Sequence, residues 1–376
     1  MIRLHSSQKG AVSLFIVIFT SLLVTVVATS FIQIMLKNQQ QASNADLSQR
    51  AYDSALAGVE DAKRALVRMK ECDKNGDPCG AQIRNALNTH TCTSLEATGM
   101  VDFQSSEVAV GTDPNQNQAY TCVEVELDTK YVEGNLEQDG SSSVTRLASK
   151  DVFNKVRISW FSAADVGDAT SSPVYYDQTG LQGLPPKSSW PDTSPPIMRS
   201  QLLEFSPGVS LDTRASWDRT LFLYPFKRIA AGTSSFNFSQ DARGGSAQND
   251  PKPTVCEESF TATPTNPSGS LYLCSATIVL PSDARQKYLQ LTALYNHAHY
   301  RVELLKDSHN VLFDSVQPMI DSTGRASDQF RRVRARVSVG NLPTEYPSAS
   351  VSVHSNLCKN FFVTSDKSDY QSRCTP

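Results

Sequence analysis

The sequence predicts an α+β protein. One long N-terminal helix, transmembrane in its first half and amphipathic in its second, packs on a β-rich head whose C-terminal part is sandwich-like. Three observations carry this. Residues 11–36 form a run of 26 residues without a charge. Residues 37–70 continue it with no proline and one glycine, Gly58. Beyond residue 200, apolar residues alternate in short runs between turn formers, which is the period of strands.

Sixteen of the 26 residues in the uncharged run are Leu, Ile, Val or Phe. Each favours a helix centre in lipid by roughly 0.3–0.6 kcal/mol, which together outweighs the cost of six Ser/Thr residues and Gln33. A bilayer core needs about 20 such residues, so the run can span it. Arg3, Lys9 and the start amine lie on one side, and the positive-inside rule puts residues 1–9 in the cytoplasm and the bulk of the chain outside. An ordinary secretory signal has an apolar region of about 7–15 residues, and this run is too long for one. An uncleaved anchor and a class III leader, cut just before the apolar stretch, both fit.

In residues 37–70 the apolar positions are Ala45, Tyr52, Ala55, Leu56, Val59, Ala62, Leu66 and Met69, mostly three or four apart, with polar residues on the other face. No Gly or Pro interrupts the join to the apolar run. The spacing predicts one helix over residues 11–70, roughly 90 Å long at 1.5 Å per residue.

The remainder divides, on pattern, into an α/β region (71–164), a Pro/Ser-rich connector (165–200) and a β-rich C-terminal domain (201–376). In the α/β region, a short helical stretch at 81–87 precedes two alternating runs, 107–110 and 122–127, around a turn former at 112–115. A further strand is expected at 156–161. In the connector, six prolines crowd with Ser, Gly, Tyr175, Tyr176 and Trp190; these aromatics either form a contact surface or pack the loop down. Strands are expected at 201–205, 220–224, 271–280, 288–295, 300–305 and 332–339. Turns are expected at 266–269, 296–299 and 321–324, the last on Asp321-Ser322-Thr323-Gly324.

Charge and motifs exclude several functions. A net charge of −3 argues against a broadly basic nucleic-acid binder. Arg332, Arg334 and Arg336, with Arg331 beside them, make one strand face basic; they are the candidate contact for an acidic partner, or are paired with acids on a neighbouring strand. The eight cysteines, Cys72, Cys79, Cys92, Cys122, Cys256, Cys274, Cys358 and Cys374, all follow the helix and suit an oxidising compartment. Pairing of sequence neighbours is the simplest of 105 connectivities. None has zinc-finger spacing. Asp73, Asn75 and Asp77 open like a calcium loop, but Pro78 and Arg84 stand where Gly and Glu are required. His297 and His299 share a side of a strand, with no Cys, Asp or Glu near them in sequence. No phosphate loop, nucleophile elbow, HExxH or CxxC is present. The expectation is a protein that is not an enzyme and has no cofactor or metal.

Gln8-Lys9-Gly10 followed by Ala11-Val12-Ser13-Leu14, an uncharged run and a long amphipathic extension resembles a type IV prepilin. The resemblance covers about 60 residues. It implies cleavage between Gly10 and Ala11, methylation of the Ala11 amine, a pilin-like head, and a C-terminal disulfide loop for which Cys358 and Cys374 are placed. Removal of residues 1–10 takes Arg3 and Lys9 with it and lowers the net charge from −3 to −5. Most members carry glutamate at the fifth mature position; here it is Phe15. That departure resembles PilX-type minor pilins and the large tip pseudopilin, and suits a subunit at the tip or sparsely inserted. The function implied is a minor subunit of a type IV pilus, serving filament assembly and surface or host-cell adhesion. Its expected partners are other pilin subunits, prepilin peptidase, the pilus assembly machinery, the membrane and the host-cell surface, but not nucleic acid. Its expected location is a single pass of the cytoplasmic membrane (N-in, C-out) before assembly and the cell surface after it. A tip pseudopilin of a type II-like secretion system and a membrane-anchored ectodomain without a filament role are the alternatives.

Overall fold

The structure, a computed structural model, describes residues 9–111, 117–137, 142–166, 190–205, 218–227, 234–238, 252–257, 260, 271–280 and 286–338. The body up to Val339 is one compact unit. Its secondary structure is α+β, one long N-terminal helix followed by a β-rich body.

Helix α1 runs unbroken from Lys9 to Asn75, 67 residues and about 100 Å long. It outlasts the expected end at residue 70 because nothing stops it before Gly76. That glycine takes a left-handed φ of 74°, the usual way a helix terminates. Asp77 then donates its N–H to the Cys72 carbonyl at 2.9 Å, closing the last turn. Helix α2 (Cys79–Leu87) folds back beside it and buries Ile83 and Leu87. The calcium-like run is thereby divided, with Asp73 and Asn75 inside α1.

Strands β1 (Val108–Ala109) and β2 (Gln118–Thr129) start a small sheet. The chain then leaves it to build a larger one: β3 (Tyr131–Leu136), β4 (Ser142–Leu147), β5 (Lys155–Ser162), β6 (Ile197–Phe205), β7 (Asp218–Lys227), β8 (Ser234–Asn237), β9 (Lys252–Cys256), β10 (Tyr272–Val279), β11 (Gln286–Leu294), β12 (Ala298–Lys306) and β13 (His309–Val311). It returns as β14 (Phe313–Ala326) and β15 (Gln329–Arg336). The small sheet has the order β1-β2-β14-β15 and is antiparallel throughout. The large sheet runs β13-β12-β5-β10-β9-β7-β6-β11-β4, with β3 on β12 and β8 on β10. Its two ends approach one another, since Ser143 on β4 and Tyr300 on β12 share a 2.6 Å hydrogen bond between their hydroxyls.

This topology redraws the expected domains. Both sheets contain strands from the regions 71–164 and 201–376, so no structural boundary separates those two regions. The large sheet is an insertion between β2 and β14, whose neighbouring ends pair at Phe313 and Thr129. Sequence patterning missed this because alternation reveals that a segment is a strand, but not which distant strand it pairs with.

The seam between the sheets is polar. Gln317 stands where β14 shifts register. It accepts the Glu133 N–H at 2.9 Å and donates to the Glu133 carbonyl at 2.8 Å, so a side chain takes the place of a neighbouring strand. The Glu133 carboxylate takes Arg301 at 2.5 and 2.9 Å. Arg301 and Arg336 both lie over the Tyr131 ring, at 3.9 and 4.1 Å from its centre. Burial opposes the charge on Arg301, but the hydrogen bond and charge of Glu133 outweigh it and raise its pKa.

Two cores result. One fills the large sheet around Trp160, Phe161, Ile158, Val302 and Phe313. The other lies between α1 and the small sheet, around Leu66, Met69, Tyr120, Val123, Val125 and Ile320. The expected turn over 321–324 is instead the middle of β14. Asp321, Ser322 and Gly324 are turn-forming types, but here smallness and charge serve the strand: α1 lies over Ser322 and Gly324, and Asp321 holds arginines of β15. The actual turn follows at residues 327–328.

Candidate functional site

Among the described residues, the first half of α1 from Leu14 onward has no packing partner. Its sixteen large apolar residues from Leu14 to Leu36 are 45–75% exposed, Phe15 most of all. The one helix long and apolar enough to cross a membrane among the described residues is this one. Its polar side chains turn back on their own helix. Thr20 donates to the Ile16 carbonyl at 2.9 Å, Thr25 to Leu22 at 2.8 Å, Thr29 to Val26 at 2.9 Å and Ser30 to Val26 at 2.8 Å. With backbone and hydroxyl groups satisfied internally, the segment carries little polar penalty into lipid. Gly10 and Ala11 lie in the first turns of α1, while residues 1–8 of the expected leader are outside the described residues.

The second half docks on the small sheet by a face that keeps Ala55, Val59, Ala62, Leu66 and Met69 of the expected stripe and adds small residues at its N-terminal end. Ala51, Ser54, Ala55, Gly58, Val59, Ala62, Ala65, Leu66 and Met69 are buried, whereas Tyr52 and Leu56, expected in the stripe, are exposed. The reason is proximity. A Cβ on Gly324 would come 2.2 Å from the Ala51 carbonyl oxygen and the Ala55 nitrogen, and one on Gly58 would come 2.4 Å from Ser322 Oγ. At these two points helix and strand nearly touch, and only small side chains fit between them.

The four arginines expected to face an acidic partner each hold a partner in their own chain. Arg331 donates to Ser48 Oγ of α1 at 2.7 Å. Arg332 grips Asp321 bidentately at 2.5 and 2.7 Å, and Arg334 reaches the same carboxylate at 2.9 Å. Arg336 packs on Tyr131 and donates to its carbonyl at 3.1 Å. Arg332 and Arg334 keep 62% and 60% of their side-chain surface exposed against 10% for Asp321, so the face is basic but partly neutralised. Burial pushes the Asp321 carboxyl up, but hydrogen bonds and charge from Arg332 and Arg334 outweigh it and hold its pKa below the usual carboxylate range. Asp321 is the residue that sequence reasoning missed: it was assigned to a turn.

Three disulfides are present among the described residues, Cys72–Cys79, Cys92–Cys122 and Cys256–Cys274. Cys358 and Cys374 fall outside the described residues. Cys92 and Cys122 stand close to Glu124, but their sulfurs are bonded to one another and are unavailable to a metal. The helix end near Cys72 is fastened by Arg84, which reaches Asp73 at 2.9 Å, Asp314 at 3.1 Å and Ser315 Oγ at 2.9 Å. Asp73 is therefore engaged by a guanidinium, not arranged for calcium. Trp190 is buried; it stacks on Tyr295 at 5.0 Å and meets Tyr224 edge-on at 6.1 Å, so it packs the loop down, while Tyr175 and Tyr176 lie outside the described residues.

Comparison with known proteins returned no match to a family model, to a curated protein or to a solved structure.

Proposed function

We propose that the chain is a minor subunit of a type IV pilus, processed between Gly10 and Ala11, which inserts at the tip or sparsely along the filament and contributes to assembly and to surface or host-cell adhesion. The observation that carries this reading is the two-part helix. Its first half is apolar on every side and has no packing partner among the described residues, and its second half is seated on a four-stranded antiparallel sheet. A segment of this kind needs an external apolar environment, and lipid and a bundle of like helices are about equally apolar, so transfer between them is close to balanced. Phe15 in place of a charged residue supports a position where no subunit above needs pairing. The large inserted sheet is then the displayed part, available to a surface partner.

The test is mass analysis of the mature N terminus. Loss of residues 1–10 with a methyl group on Ala11 is expected. An intact Met1 would overturn prepilin processing and leave a membrane-anchored ectodomain.

A further inference from the structure

Sequence placed no acid near His297 and His299. The fold supplies one from more than a hundred positions away. Asp165 sits just after β5, its side chain fully buried. Its Oδ2 accepts the Ser162 N–H at 2.6 Å and the Ser162 hydroxyl at 3.0 Å, which fixes the plane of the carboxylate. Its Oδ1 is turned to the start of β12, where it lies 2.6 Å from His299 Nδ1 and 3.9 Å from His297 Nε2. The His299 backbone N–H also donates to this carboxylate, at 3.0 Å.

The histidine side is held equally firmly. Asn296, itself buried, donates to the Asp192 and Ser194 carbonyls at 2.6 and 3.0 Å and accepts the His297 N–H at 3.0 Å. The backbone carrying both imidazoles is thus fixed, whereas the rings are 41% and 43% exposed and free to adjust.

We propose that Asp165, His297 and His299 form a binding site for a divalent cation of the zinc class. Two imidazoles and one carboxylate are a donor set suited to Zn²⁺ or Ni²⁺ and poorly suited to Ca²⁺ or Mg²⁺. Bonds of about 2.0–2.2 Å to a tetrahedral ion hold its donor atoms roughly 3.4 Å apart. The spacings of 2.6 and 3.9 Å from Asp165 Oδ1 lie on either side of that value, and the two exposed rings must turn toward one another for all three donors to share an ion. An ion bound at Nδ1 replaces the hydrogen bond between Asp165 and His299, and the neutral ring then carries its proton on Nε2. The Ser162 contacts orient the carboxylate ligand from behind, as partners outside the coordination sphere do in metal sites. One buried carboxylate and two half-exposed imidazoles leave the remaining positions to water, so the ion exchanges and is not needed for folding. This inference stands independently of the pilus reading.

The test is calorimetric titration of the full chain in detergent micelles with Zn²⁺ alone. One ion per chain is expected, with a rise in Tm that grows with Zn²⁺ concentration. His297→Ala and His299→Ala are each expected to weaken binding about tenfold or more, with the Zn²⁺-free Tm little changed for His297→Ala. His309→Ala, on the exposed hairpin at β13, should bind as the unaltered chain does. Absence of binding at millimolar Zn²⁺, or undiminished binding by both His297→Ala and His299→Ala, would overturn the proposal.

Discussion

The two halves of α1 have the same backbone and opposite packing logic. The first is built of Leu, Ile, Val and Phe and buries none of them. The second presents Ala, Ser and Gly, and further along Val59, Leu66 and Met69, to the small sheet and buries them. Within one continuous helix, then, intrachain burial follows the presence of a sheet to pack on, with Ala51, Ser54, Ala55 and Gly58 where the backbones come closest and Leu66 and Met69 where there is room for a core. Large apolar residues on all sides suit a soft, fluid surrounding, where each contributes by transfer from water and none needs a matching neighbour. Small residues on one side suit a sheet that must approach to backbone contact.

The contrast breaks most visibly at leucine. Leu66 is fully buried between α1 and the small sheet, while Leu22 is 60% exposed in the apolar half. Leu66→Ala should cost about 2–5 kcal/mol of head stability, since it leaves a cavity in a packed core. Leu22→Ala should change head stability by no more than about 0.5 kcal/mol. Urea unfolding of both variants in the same micelles makes the comparison. Equal effects would mean that the two halves are not distinct in the way their packing indicates.

Much of this division was readable beforehand. The helix, its apolar half, the absence of a break near residue 37 and most strands of the large sheet follow from period and composition. The C-terminal part of the docking face, from Val59 to Met69, follows from the apolar period; its N-terminal edge does not, because Tyr52 and Leu56 weigh heavily in hydrophobicity whereas Gly58 and Gly324 set the contact there by letting backbones approach. The identity of β14 was lost for the same reason: Ser322 and Gly324 look like turn residues until a helix is placed over them. The Asp165–His299 contact was invisible because it depends on how β5 and β12 pair, and no local pattern encodes that register.

A second test sharpens the contrast between the two faces of the small sheet. Opposite the helix, Asp321 holds Arg332 and Arg334 through charge, not fit. Its pKa is depressed in the folded state, so the ionised form favours folding. The contribution is present in full above the unfolded value of about 3.9 and is lost as pH falls through the lower folded value. Asp321→Asn should therefore cost about 1–2 kcal/mol at pH 7, the low end for a charged hydrogen-bonded group because both arginines remain hydrated. The gap from the unaltered chain should narrow below about pH 4 and in high salt. A gap that is independent of both would assign the effect to packing.

The smallest expected effect lies on the helix side of the same strand and has the opposite sign. Ser322 is fully buried under Gly58, and its hydroxyl has no hydrogen-bond partner among the described residues. The residue is small because the helix demands it, but nothing in the contact demands the oxygen. Ser322→Ala keeps the close approach and removes a buried polar group that folding strips of water. It should raise stability by roughly 0.5–1 kcal/mol, the lower part of the cost of an unsatisfied hydroxyl once the lost atom's contacts are discounted. Ser322→Val, which keeps the site apolar but adds bulk beneath Gly58, should destabilise by about 1–3 kcal/mol. Denaturant midpoints of the two variants separate the claims: if alanine and valine shift stability in the same direction, size is not what seats this helix on its sheet.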